Sequence, residues 1–382
     1  MPIDAVGANA HRYPTLDALR GAAAFAVLFY HLRNIGAGHH GPAVLPIFAS
    51  GYLAVDLFFV LSGFVISHAY GARLRKSLPF RAFMTARFVR LQPVIAIGTL
   101  IGFILALVQR LLGLEGAPGL FAIVTCLPAN LLMLPNVLMP SGIFLFNPPA
   151  WSLFYELAAN AVYAFAVRRE ADSTNGMREN LLLAASCLAG FGGLVASVLL
   201  VGDLDRGVAL GDWPVALARI IFSFTAGALL HRTRHRWMKG VPRLPLPWLL
   251  IACVALLAPD FHGAPRAIYD LTFATALSPV LLMLTCVAQP GPRLQSASAW
   301  LGMISYPLYA VHAPIKHVIE TILPLGFAPM LIVATCSAVS IAWLIGTVID
   351  PALRHWLGNW QCRLYTTADP HVATTSSLSG GA

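Results

Sequence analysis

Charge is scarce in this sequence. Of 382 residues only 11% are Asp, Glu, Lys or Arg and 58% are apolar, whereas a soluble domain carries about 25% charged residues. A chain of this length could bury a core, but it could not clothe a water-facing surface with so few polar groups. An ordinary soluble globule is excluded, and lipid becomes part of the solvent. Acids are the scarcer sign, 16 against 25 Lys and Arg, leaving a net charge of +9. The basic residues fall between apolar runs rather than along one face. That pattern belongs to cytoplasmic loops of a membrane protein and not to a nucleic-acid surface. Metal and redox spacings are also missing from the six cysteines. Cys126, Cys187, Cys253, Cys286 and Cys336 lie inside apolar segments and Cys362 in the tail. They read as small hydrophobes, and no metal is expected. No small-residue cleavage site follows the apolar run Gly21 to Tyr30, so that run reads as a first span and not a signal peptide.

What is present is a series of apolar runs near the roughly 20 residues that cross a bilayer. They occupy 16–32, 51–70, 91–109, 151–167, 181–201, 213–230, 245–258, 267–288, 299–321 and 327–349, with 245–258 short for a crossing. The segment 71–90 holds Arg73, Arg75, Lys76, Arg81, Arg87 and Arg90 without an acid. The segment 231–243 holds Arg232, Arg234, Arg236, Lys239 and Arg243, also without an acid. Both are expected in the cytoplasm. The linker 202–212, with Asp203, Asp205, Arg206 and Asp212, reads as external. A further apolar stretch, 120–135, is broken by Pro128 and Asn130. If it crossed, the linker bearing Arg168, Arg169 and Arg178 would fall outside, against the charge bias. If it dips and returns, every later loop agrees. The expected fold is an all-α polytopic membrane protein of about ten transmembrane helices plus one re-entrant or interfacial segment. Both termini would face the cytoplasm. Residues 1–350 read as one membrane domain without internal repeats, and 351–382 as a cytoplasmic tail, disordered from about 366.

Polar side chains inside such spans are expensive and mark sites by default. Arg20 and His31 are eleven residues apart, about three turns and 16 Å along one helix face. His31 reads either as an interfacial cap or as a working imidazole. Asp56, flanked by Val, Leu and Phe, reads as a helix-pairing ion or a site carboxylate. Ser62 and Gly63 on the same span read as close-packing residues. Ser152 and Glu156 share a face at i and i+4, beside Trp151 and Tyr155, the former read as interfacial. On the ninth span Ser305, Tyr309, His312 and Lys316 follow one face near Tyr306, and Lys316, His317 and Glu320 read as solvated. Helix rise puts His31, Asp56, Glu156 and His312 at one depth, which suggests a single polar cavity open to the outside. Arg87 and Arg90, at i and i+3, read either as inner-face anchors or as a phosphate clamp. Arg219 and Asp270 are expected to pair.

The stretches Leu16-Asp-Ala-Leu-Arg-Gly with His31, Asp56-Leu-Phe-Phe-Val-Leu-Ser-Gly-Phe, Arg87-Phe-Val-Arg, Asn147-Pro-Pro-Ala-Trp-Ser-Leu-Phe-Tyr-Glu and Ser305-Tyr-Pro-Leu-Tyr-Ala-Val-His occur in this order. Together, over roughly 14–350, they resemble the membrane acyltransferase-3 family, O-acyltransferases of bacterial surface glycans and related acceptors. The resemblance implies a multi-pass enzyme of the bacterial inner membrane. It implies transfer of an acyl group, often acetyl, from cytoplasmic acyl-CoA to a hydroxyl of an extracytoplasmic sugar or glycan. It places His31, Glu156 and Asp56 in catalysis, Arg20, Arg87 and Arg90 at the donor, and Ser152, Tyr306 and His312 at the acceptor. His31 could serve as base on the acceptor hydroxyl or as a transient acyl carrier. The competing expectation is a proton-coupled transporter or flippase, since intramembrane His, Asp and Glu also serve transport. Paired broken helices or inverted repeats would favour it, and neither stands out in the sequence.

Overall fold

The computed structural model describes residues 13–36, 47–169, 176–289, 291–353 and 356. The described elements are all helical. They are α1 (Pro14–Leu32), α2 (Ala54–Lys76), α3 (Phe80–Leu111), α4 (Leu120–Leu131), α5 (Ala150–Arg169) and α6 (Met177–Leu200), then α7 (Trp213–Trp237), α8 (Leu246–Leu256), α9 (Ala264–Thr272), α10 (Ser278–Val287), α11 (Pro292–Ile322) and α12 (Phe327–Leu344). A π turn, Phe273–Leu277, joins α9 to α10 in one continuous rod. Six of these rods are long and apolar enough to cross a membrane. With the large exposed apolar side chains of α6 and α12, such as Leu188, Leu199 and Ile332, this describes a multi-pass membrane protein. Three helices that carry polar motifs, α1, α5 and α11, fall outside the six, because those polar residues lower their apolarity, while α2 and α3 stay within the six. The short run 245–258 becomes α8, 11 residues long. The expected tail, with its disordered part from about 366, lies outside the described residues apart from 351–353 and 356.

Most of α1 is buried, and the helix lies against α2, α8 and α11 at the centre of the bundle. Pro14 opens it, where a missing N–H costs nothing. The α2–α7 crossing depends on reciprocal glycines. A Cβ on Gly63 would stand 1.9 Å from the Phe224 carbonyl oxygen, and one on Gly227 2.0 Å from that of Val60. The packing role read for Gly63 follows from this approach.

The basic segments gather at one end of the bundle. Glu179 pairs with Arg75 at 2.9 Å and Arg232 at 2.7 Å, and Arg168 donates to the Leu78 carbonyl. At the opposite end Tyr30 bonds Asp205, and the 136–143 loop meets the 204–210 linker through Ile143 N–H to Val208 O and Leu210 N–H to Pro140 O. The end of α5, with Arg168, and the start of α6, with Glu179, therefore lie at the same end as the other basic segments.

In segment 120–135 the 12-residue α4 rises about 18 Å at about 1.5 Å per residue, much as the 11-residue α8 does. Near its end Leu131 meets Gln92 of α3, whose amide donates to Leu131 O at 3.2 Å. The chain then returns, and Asn147 stands against Gly98 of α3 and donates to Ala310 O of α11. Buried Asn130 satisfies the returning backbone, donating to Leu134 O at 3.3 Å and Ile143 O at 3.0 Å. Irregular backbone at this depth needs such internal partners.

Candidate active site

Among the described residues, two cavities hold the polar motifs, one toward each end of the bundle. The first, about 250 Å³, is lined by His31, Tyr30, Arg33, Trp151, Asp205 and Lys316 among others. The second, about 340 Å³, is lined by Arg20, Arg87, Arg90, Glu156 and Tyr306 among others. Val55 and Tyr309 line both.

At the last turn of α1, His31 faces α11. Its Nδ1 lies 2.9 Å from Val27 O and 3.2 Å from His312 Nε2. His312 Nδ1 in turn lies 2.8 Å from Tyr309 O and 3.2 Å from Leu308 O. A carbonyl oxygen can only accept, so in neutral rings both Nδ1 atoms carry the hydrogen. His312 Nε2 is then an acceptor for His31 Nδ1–H. The lone pair of His31 is left on Nε2, the atom a general base needs. His312 stands behind His31 and does not line the cavity.

The backbone around α11 is shaped for this contact. Pro314 has no N–H to offer Ala310 O, and the Asn147 amide donates to that carbonyl instead, at 2.9 Å. The following Pro148, Pro149 and Trp151 form the floor of the His31 cavity. Trp151, read as interfacial, is instead buried beneath the Arg219 guanidinium, 5.5 Å from the ring centroid. Lys316, read as solvated, is also buried. It reaches Asn34 at 3.0 Å and Glu320 at 3.6 Å.

In the second cavity Glu156 accepts from Arg87 at 3.0 Å and from the Ser62 hydroxyl at 2.8 Å, through the same oxygen. Arg87 is buried, while Arg90, one turn further on, is exposed. Arg20 donates to Ser305 Oγ at 2.8 Å, Asp17 at 3.1 Å and Gly302 O at 3.1 Å. The Tyr306 hydroxyl donates to Leu91 O. Ser152 Oγ lies 2.7 Å from the Tyr309 hydroxyl.

The four level-matched residues thus do not share one cavity. His31 and His312 meet, Glu156 lines the other cavity, and Asp56 lines neither. Asp56 is fully buried and held by Arg219, with Nη2 at 2.7 Å and Nε at 3.2 Å. Arg219 also donates to Leu204 O at 2.8 Å and Tyr52 O at 3.0 Å. The expected Arg219–Asp270 pair is not formed. Asp270 instead accepts from the Tyr52 hydroxyl and the Leu204 N–H. Two residues of the site, Ser62 and Tyr309, do more than sequence reasoning assigns them, which is packing for the first and helix spacing for the second. The serine in an apolar run and the Ser305–Tyr309–His312 periodicity are the signals that point to them.

The family model described as an acyltransferase domain matches residues 13–347. Protein 2 in picA locus of Rhizobium radiobacter is 40% identical over 169 residues, 40% of this chain and 81% of its own length. Acyltransferase MdmB of Streptomyces mycarofaciens is 27% identical over 380 residues, 92% of each chain. Peptidoglycan O-acetyltransferase OatA of Listeria monocytogenes is 36% identical over 84 residues, 22% of this chain and 12% of its own length. No solved structure matches.

Proposed function

Because the chain belongs to the acyltransferase-3 family, and is therefore an acyl-transferring enzyme, we propose that it moves an acetyl or similar acyl group from cytoplasmic acyl-CoA to a hydroxyl of an extracytoplasmic sugar or glycan. One observation carries this reading. The arginine-lined and His31-lined cavities stand back to back, meeting at Val55 and Tyr309. A donor and an acceptor can then approach from opposite ends and react without mixing.

In this reading residues 1–350 form one transferase unit. The rods α1, α2, α3, α5, α6, α7, α8, α9–α10, α11 and α12 make ten crossings of the inner membrane, and α4 is re-entrant. The basic end and both termini face the cytoplasm. The second cavity suits the donor. Arg20, Arg87 and Arg90 outnumber the two carboxylates there, Asp17 and Glu156, and guanidinium forks match phosphate oxygens. Glu156 and Ser62 hold Arg87 in place. The His31 cavity receives the acceptor. Its mixture of Trp151 and Tyr30 faces with Asp205, Asn34 and Lys316 suits a sugar, apolar on its ring face and polar on its rim. His31 Nε2 takes the proton of the acceptor hydroxyl as its oxygen attacks the thioester carbonyl. The new C–O bond forms, the C–S bond breaks, and the proton passes to the departing CoA thiolate. His312 and Val27 O keep the tautomer. Asp56 acts through Arg219 on the shape of the site and not on the substrate.

The test uses purified protein in nanodiscs. Acetyl-CoA binding is titrated, and CoA release is followed with a panel of sugar acceptors. Wild type is expected to bind and turn over. His31→Ala is expected to bind with similar affinity and lose turnover by about 100-fold or more, the usual worth of a positioned base. If wild type binds no acyl-CoA, the donor assignment fails and transport becomes the reading to test.

A further inference from the structure

The two cavities are separated by very little. Val55, the second residue of α2, and Tyr309, in the middle of α11, are the residues they share. Tyr309 is buried, and its ring stands between the arginine side and His31. Its position is fixed from several directions. The hydroxyl lies 2.7 Å from Ser152 Oγ and 3.3 Å from Pro149 O. The Ser152 hydroxyl is itself bonded to Pro149 O at 3.1 Å. The edge of Phe58 packs on the ring at a centroid distance of 5.6 Å and a plane angle of 84°. The Tyr309 carbonyl accepts from His312 Nδ1 at 2.8 Å, so the ring lies within one turn of the residue that orients His31. Ser152 and Phe58 line the arginine cavity, and Pro149 the other. Tyr309 and Val55 are thus the side chains that stand on the border of the two cavities.

We propose that Tyr309 is the aperture through which the acyl thioester reaches His31, and that its bulk limits the enzyme to short acyl groups. This inference rests on the donor reading above. A thioester carbonyl presented to His31 must be threaded past Tyr309 and Val55. The acyl chain beyond that carbonyl then has to fit against the ring or in the space around His31. Acetyl adds one methyl beyond the carbonyl. Each further methylene needs volume that the Tyr309 ring and its Ser152 and Phe58 supports already fill, and close-packed interiors do not yield it cheaply. Truncating the ring widens the passage without removing a proton-transfer group, so it changes which acyl group passes more than whether transfer occurs.

The experiment compares acetyl-, butyryl- and hexanoyl-CoA as donors to one acceptor, using the full chain in nanodiscs. Wild type, Tyr309→Phe, Tyr309→Val and Tyr309→Ala are read by CoA release, each after a thermal melt to establish folding. Wild type and Tyr309→Phe are expected to share one preference for acetyl, because the ring is kept. Tyr309→Val and Tyr309→Ala are expected to raise the hexanoyl-to-acetyl ratio of kcat/KM by about tenfold or more, the scale on which a pocket discriminates methylenes. If Tyr309→Ala does not fold, Tyr309→Val decides. A folded, active small-residue variant with the wild-type preference overturns the aperture and leaves the donor reading intact. Wild type that binds and consumes no acyl-CoA overturns both.

Discussion

At His31 the backbone chooses the tautomer. Val27 O and the His312 ring meet Nδ1, and the remaining lone pair points away from α11. No carboxylate is needed for that choice, although Asp56 and Glu156 are the groups that the sequence offers for it. Asp56 has another task. Its oxygens and the Arg219 guanidinium are both inaccessible to solvent, and Arg219 ties α7 to α2, Tyr52 O and Leu204 O. Removing one member of a buried pair leaves the other charge uncompensated, at a cost of about 3–5 kcal/mol. Asp56→Ala is therefore expected to lower stability by that order, while Asp56→Leu with Arg219→Met loses less than either single change. Thermal melts of wild type, Asp56→Ala, the two single changes and the double variant in one detergent measure this. Asp56→Ala with a wild-type melt and no transfer activity would instead place the carboxylate in the chemistry.

At the scale of elements, α4 is the telling piece. The chain that follows it runs back with buried Asn130 as the donor to two carbonyls. Each buried acceptor left without a partner costs about 1–3 kcal/mol. Asn130→Ala should therefore destabilise by roughly 2–5 kcal/mol if both carbonyls are stranded. A melt within a degree of wild type would show that the hairpin does not depend on this residue. The charges of Arg168, Arg169 and Arg178 alone lead to the expectation of a dip at 120–135, and the re-entrant placement of α4 belongs to the proposed topology. The apolar runs are legible as well, each becoming helix, although α3 starts eleven residues before its expected run and α11 seven. Lateral neighbours are not. Rise per residue gives a depth along one helix, whereas which helix stands beside it depends on contacts such as the Gly63–Phe224 approach. Hence four residues at one calculated depth are divided between two cavities and a buried strut. Arg219 meets Asp56 and not Asp270 for the same reason. Asp270 is already engaged by Tyr52 and Leu204, whose position no periodicity reveals.

For the whole molecule, the distribution of charge and the distribution of cavities point along the same axis. Arg73, Arg75, Lys76 and Arg232 crowd the end to which α2 and α7 run, and the arginine cavity lies on that side of Tyr309. The acidic linker residues Asp203 and Asp205 stand at the other end with the His31 cavity. With acyl-CoA as the proposed donor, transfer would be vectorial, because CoA carries several negative charges, cannot cross lipid, and would be attracted from the basic side. Sealed membrane vesicles of both orientations test this directly. Inside-out vesicles are expected to release CoA from externally added acetyl-CoA, with Arg87→Ala reducing the rate chiefly through a higher KM, since Arg87 lies in the donor cavity and not beside His31. Right-side-out vesicles are expected to release none until they are permeabilised. Equal rates from both intact orientations would mean that the donor reaches His31 from its own side. The arginine cavity would then need another ligand, and the separation at Tyr309 would have no part in the reaction.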